Sequence, residues 1–118
     1  MSAPEEWRLF YYRTLGLQTP FREWQESLTD LRAAASVSRR LERFRSGLFG
    51  DCEPVGEGVF EFKIDLGPGY RGYFFRAERR VILLLCGGDK RTQAADIAKA
   101  KQFRRDYEQR TRGTLGSG

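Results

Sequence analysis

Three short apolar runs between Gly58 and Lys90 (GVFEFKIDLGPGYRGYFFRAERRVILLLCGGDK) do most to limit how this chain can fold. Val59–Leu66, Tyr70–Arg76 and Val81–Cys86 are rich in β-branched and aromatic residues and are separated by turn residues, the pattern of consecutive strands. The first run alternates: Phe60, Phe62, Ile64 and Leu66 point one way, Glu61, Lys63 and Asp65 the other. It is therefore expected to bury one face and wet the other. Gly67-Pro68-Gly69 supplies a tight turn, because Pro fixes φ and Gly tolerates positive φ. An antiparallel hairpin closed there puts Lys63 and Arg71 on one sheet face, the face that Tyr73 and Phe75 also share. Val81–Cys86 hardly alternates and reads as a central strand covered on both sides.

The flanking segments supply helices. Trp7–Arg13 reads as an aromatic strand. Thr19-Pro20 has the marks of a helix start, and Phe21, Trp24 and Leu28 recur at helical spacing behind it. Asp30 is a second cap, opening a helix to about Arg45 with Ala33, Val37, Leu41 and Phe44 on one side and Arg39, Arg40 and Arg43 among its other residues. The two helices form a hairpin against one sheet face. Asp51–Gly58 reads as a loop. A last helix begins near Lys90 or Thr92, with Asp89 as its cap, and runs to about Gln109; Ile97, Ala100, Phe103 and Tyr107 form its apolar stripe. The expected order is β-α-α-β-β-β-α, an α+β fold with a mostly antiparallel twisted sheet. It forms a single domain over residues 1–110, with 111–118 as a flexible tail.

Composition narrows the function classes. A chain of 118 residues has room for one core, and 40% hydrophobic with 14% aromatic residues argues for a folded domain. Twenty-one Lys and Arg against sixteen Asp and Glu leave a formal charge of +5, which favours polyanion or acidic-protein partners. No histidine is present, and Cys52 and Cys86 form no CxxC pair. No metal site of the usual zinc types, and neither Ser-His-Asp nor Cys-His catalysis, can be assembled. No cofactor is called for, since a Walker-type loop is also missing. No run reaches the roughly 20 apolar residues of a membrane span, and the first residues lack a signal peptide's pattern, so a cytoplasmic protein is expected.

The blocks GVFEFKIDLGPGYR and LLLCGGDKRTQAADIAKAK, in this order, resemble the RelE/ParE superfamily of type II toxins, and within it the addiction module killer (HigB-like) branch. The resemblance covers about Trp7 to Tyr107 and implies a RelE/ParE-like fold with the helical hairpin and last helix packed on the sheet. It further implies a toxin that cleaves translated mRNA on the ribosome, a cognate antitoxin partner, and contact with operator DNA only through that antitoxin.

By position in these motifs, the resemblance matches Arg71, Lys63 and Lys90 to catalytic basic residues, with Arg91 adjacent. Two family positions differ: Glu61 replaces the first lysine of a strand pair, and Asp96 or a neighbour stands where a final-helix tyrosine is usual.

RNA cleavage of this kind needs no metal, because the substrate's own 2′-OH attacks the phosphate; the protein must align it, stabilise charge and move two protons. Arg71 is expected to bind the transition-state phosphate, assisted by Lys63 and Lys90. Glu61 is a candidate base, and Tyr73 a proton source or stacking ring. Arg91, Tyr70, Arg39, Arg40 and Arg43 are expected to contact RNA or ribosome. Gln93 and Asp96 have a simpler reading, fixing the loop before the helix. A gyrase-inhibiting, ParE-like toxin without nuclease activity is the alternative, as is a non-catalytic binding relative.

Overall fold

The computed structural model describes residues 6–116, with side chains as far as Arg112. It contains β1 (Arg8–Tyr11), α1 (Pro20–Ser27), α2 (Leu31–Arg45), β2 (Cys52–Gly56), β3 (Val59–Ile64), β4 (Tyr70–Glu78) and β5 (Val81–Asp89). A 3₁₀ turn (Lys90–Thr92) then leads into α3 (Gln93–Gly116). The strands form one five-stranded sheet in the order β1-β5-β4-β3-β2, with β1 parallel to β5 and every other pair antiparallel. The fold class is mixed α+β, as the sequence indicates.

Two elements differ from expectation. The stretch 51–58 is not a loop: Cys52–Gly56 forms an edge strand paired to β3. Pro54 hides it in the sequence, since proline is excluded from central strands but tolerated at an edge. Glu57 (φ 52°) and Gly58 (φ 77°) close the β2–β3 hairpin, both in the left-handed region that a two-residue turn of the favoured hand requires. The last helix continues past Gln109 to Gly116, so 111–116, read as tail, are helical, and 117–118 lie outside the described residues. Ion pairs Arg110–Asp106 (2.6 Å) and Arg112–Glu108 (3.9 Å) brace this final stretch, and Arg110 Nη2 donates to Arg13 O (2.7 Å).

The sheet carries a core on each face. On one side Phe62, Ile64, Phe74, Ile82 and Leu84 meet Phe21 of α1 and Val37, Leu41 and Phe44 of α2. On the other, Val59, Tyr73, Phe75, Leu83 and Leu85 meet Ala100, with Ile97, Phe103 and Tyr107 of α3 packed alongside. Each large apolar side chain so buried contributes about 1.5–3 kcal/mol. Val81–Cys86 is buried throughout, as a strand with helices over both faces must be.

Helix starts follow their sequence signals in part. The Asp30 carboxylate accepts from the Arg32 and Ala33 amides (2.9 and 3.3 Å), a satisfied N-cap. Thr19 holds the cap position of α1, but its side chain makes no capping bond; its amide instead donates to Glu23 Oε2 (3.0 Å). Two glycines set how closely the layers approach: a Cβ at Gly72 would overlap the Phe62 ring, and one at Gly87 would overlap the Trp24 indole.

Candidate functional site

Period-two alternation along β3 and β4 puts Glu61 opposite Tyr73 and Lys63 opposite Arg71, all four on the α3 side of the sheet. Beyond Arg71 the loop 65–69 turns back. Gly67 (φ 52°) and Gly69 (φ 80°) take left-handed conformations there, and the Gly69 amide donates to Leu66 O (2.9 Å). The Gly69 carbonyl then receives two donors: Arg71 Nη1 (3.0 Å) and the backbone amide of Lys90 (3.0 Å). One oxygen thus ties the strand arginine to the residue just past β5. A Cβ at Gly69 would make only ordinary contacts, 3.5 Å from Arg71 Nη1 and 3.9 Å from Lys90 Cβ, so it is the left-handed backbone there that calls for glycine.

The three expected phosphate ligands therefore stand on neighbouring elements at one end of the sheet, in unequal states. Arg71 is 8% exposed, with its Nε 3.7 Å from Glu61 Oε2 and without a hydrogen bond of its own. Lys63 is exposed, its ammonium 4.0 Å from the Glu53 carboxylate. Lys90 is exposed on the 3₁₀ turn.

Glu61 does not lie on a wet face as its alternation suggests: it is 2% exposed. The start of α3 closes over it. Its Oε2 accepts from Tyr73 Oη (2.9 Å) and from Gln93 Nε2 (2.9 Å), besides facing Arg71. A buried carboxylate is tolerated only when so satisfied. Tyr73 is fully buried, so its ring offers no surface on which a base could stack. Its phenol is held far above the ordinary tyrosine range, by burial foremost and then by the bond and charge of Glu61. As a proton source near neutral pH it is badly placed. Glu61, Tyr73 and Gln93 together form a buried bracket behind Arg71. The position of Gln93 suggests only a loop-fixing role, and no spacing rule reveals that it reaches across to β3.

The remaining positions divide. Arg40 donates Nη1 to Lys63 O and Nη2 to Asp51 O (both 3.0 Å) across the Phe62 ring, a clamp on the end of β3. Arg39 and Arg43 are exposed on α2. Tyr70 packs toward the α1–α2 core, on the opposite face from Arg71. Arg91 is exposed and paired with Asp89 (3.0 Å); that pairing, led by the hydrogen bond, lowers the Asp89 carboxyl below its usual range. Asp89 also accepts the Arg91 amide (2.8 Å), capping the turn as its sequence position suggests. Asp96 is buried, bonded by the Thr92 hydroxyl (2.5 Å), and a Cβ at Gly88 would overlap its carboxylate.

Glu53 lies in the segment whose proline and glycines suggest a loop, so its place in the sheet has no signal in the sequence. It pairs across strands with Glu61, and both line a hollow of about 420 Å³ with Arg40, Lys63 and Asp65. Among the described residues no group of His, Cys, Asp and Glu is arranged to hold a metal ion, and no helix is long and apolar enough to cross a membrane.

Residues 26–108 match the family described as phage derived protein Gp49-like (DUF891). An uncharacterized protein of Haemophilus influenzae is 46% identical over 81 residues, which is 69% of this chain and 82% of that protein. No solved structure matches. The matched span contains all of α2, β2 to β5 and the turn that presents Lys90. The chain belongs to the phage-derived Gp49-like family, a RelE/ParE-like toxin family of addiction modules, and membership implies a cognate antitoxin.

Proposed function

We propose that this chain is the toxin of a toxin–antitoxin pair and that, like the HigB-like toxins its sequence resembles, it cleaves translated mRNA on the ribosome. The observation that carries the reading is the Gly69 carbonyl, which gathers Arg71 Nη1 and the Lys90 backbone at one point while Lys63 faces Arg71 across the strands. A phosphodiester arriving there meets a guanidinium and two ammonium groups. Their task is to offset the charge that builds on the phosphate oxygens as the 2′-OH attacks.

The buried bracket of Glu61, Tyr73 and Gln93 gives Arg71 a fixed orientation, which such catalysis needs. Proton removal falls to an exposed carboxylate, and Glu53, the one paired with Lys63, is placed for it. In this reading Glu61 and Tyr73 are positioning residues, not the base and the stacking ring. Arg91, Arg39 and Arg43 supply contacts to RNA or ribosome. The toxin acts in the cytoplasm and reaches operator DNA through its antitoxin.

The test is brief induction followed by mapping of mRNA 5′ ends, with and without chloramphenicol-stalled ribosomes. Cuts within translated codons are expected, and Arg71→Ala should reduce cutting about 10²–10³-fold. Intact message with blocked DNA supercoiling would refute the nuclease. One observation favours that second, gyrase-inhibiting reading: Arg71 is already engaged by Glu61 and Gly69, whereas a nuclease must release part of that grip to the phosphate.

A further inference from the structure

α2 presents Arg32, Ser36 and Arg39 on one side, three and four residues apart, with Arg39 Nη2 donating to Ser36 Oγ (3.4 Å). Facing them across a cleft of about 400 Å³ are the end of β3 and the two residues after it, Lys63 to Leu66. Lys63 and Asp65 also line the hollow that contains Glu53 and Glu61. The two depressions therefore meet at the outer edge of β3. That edge is open because β2 stops short: Cys52, its first residue, pairs with Phe62, and among the described residues no strand pairs with the outer side of β3 at Lys63 and Ile64, whose other side holds β4. Arg40 occupies the vacated edge by binding the Lys63 carbonyl, which keeps another strand from adding there and leaves its charge on the rim.

We propose that this cleft holds the sugar–phosphate backbone of single-stranded RNA beside the cleaved linkage, with Arg32, Arg39 and Lys63 on phosphates and Asp65 accepting a ribose 2′-hydroxyl. The inference rests on the nuclease reading and deepens it by naming the track that feeds the site. Three cations and no aromatic ring line the cleft, so it reads backbone and not base. The one carboxylate decides between nucleic acids. It repels phosphate but accepts a hydroxyl, and the 2′-OH is the group that separates RNA from DNA. An acidic peptide would gain nothing from Asp65.

The experiment uses the full chain carrying Arg71→Ala, so that binding is read without cleavage. Fluorescence polarisation is followed for a labelled RNA octamer, the DNA octamer of the same sequence, and an acidic peptide, over a range of salt. The Arg71→Ala protein should bind the RNA more tightly than the DNA. Adding Arg32→Glu and Arg39→Glu should weaken RNA binding at least about tenfold. It should also flatten the dependence of log affinity on log salt by about 1.4, since each single-strand phosphate contact contributes about 0.7. Asp65→Ala, which removes the acceptor, should erase the preference for RNA over DNA.

Both arginines and Asp65 are exposed, so the variants should fold, and a circular dichroism spectrum checks this. RNA affinity within twofold of the parent in the double glutamate variant would overturn the proposal. So would equal binding of RNA and DNA by the parent, or tight binding of the peptide that RNA does not displace. Failure of the nuclease reading is seen separately, as uncut message upon induction; the cleft can fail while cleavage persists.

Discussion

Replacing Glu61 by alanine should cost more stability than any other single change at the site. The carboxylate is 1% exposed and faces three groups: Tyr73 Oη at 2.9 Å, Gln93 Nε2 at 2.9 Å and Arg71 Nε at 3.7 Å. Alanine leaves a buried phenol and an amide without their acceptor, and a nearly buried guanidinium without its counter-charge. Removing one partner of a buried charge pair costs about 3–5 kcal/mol, because the other charge stays desolvated and uncompensated. Against a total stability of about 5–15 kcal/mol that is a large fraction. In a domain of this size the midpoint of thermal unfolding should fall by roughly 10–20 °C.

Glu61→Gln keeps the shape and one acceptor oxygen while discarding the charge, so a loss of about 1–2 kcal/mol is expected. Urea unfolding followed by tryptophan fluorescence measures both variants, with Tyr73→Phe completing a double-mutant cycle. Glu61→Ala within about 1 kcal/mol of the parent, or strict additivity of Glu61→Gln with Tyr73→Phe, would refute the bracket behind Arg71.

Gly88→Ala drives a methyl group into the Asp96 carboxylate and should destabilise by about 1–3 kcal/mol, read as a lower urea midpoint. Cys86, 5% exposed with its thiol pushed up to about 12 by burial and then by Asp96, should resist a disulfide reagent at pH 8 until the chain unfolds. The half-buried Cys52 should react first. Tyr12, bonded to Asp106 (2.5 Å), has its phenol raised from 10.0 to about 12, burial being the larger cause. Below pH 10 the phenol is protonated in folded and unfolded chain alike and its contribution is intact. From pH 10 to 12 only the unfolded chain ionises, so stability should fall over that window, and Tyr12→Phe should flatten the fall.

The sequence revealed what depends on short-range pattern. Helical spacing located α1 and α2, Asp30 marked a cap, and alternation around Gly67-Pro68-Gly69 put Lys63 and Arg71 side by side. It failed where a distant element overrode the pattern. Glu61 occupies a polar position of an alternating strand and is nonetheless buried, because Gln93, on another element, reaches it. β2 escaped notice because its proline and glycines mimic a loop. The helical reach of α3 to Gly116 depends on contacts with Arg13 and on ion pairs within the helix that no end signal announces. The glycines at 87 and 88 carry β5 on past the apolar run to Asp89, and their packing against Trp24 and Asp96 is a property of three dimensions.

The parallel seam between β1 and β5 has a consequence for synthesis. Arg8–Tyr11 can take its place only beside Val81–Leu84, so the first strand to leave the ribosome waits for the last one to be made. Until then its aromatic residues lack their neighbour, and closing so large a loop makes a slow step. A nascent chain cut short before Val81 would leave the backbone donors and acceptors of Arg8–Tyr11 with no strand to pair with, an open edge of the kind that invites aggregation. The sheet of such a chain can close only after its fifth strand has been made.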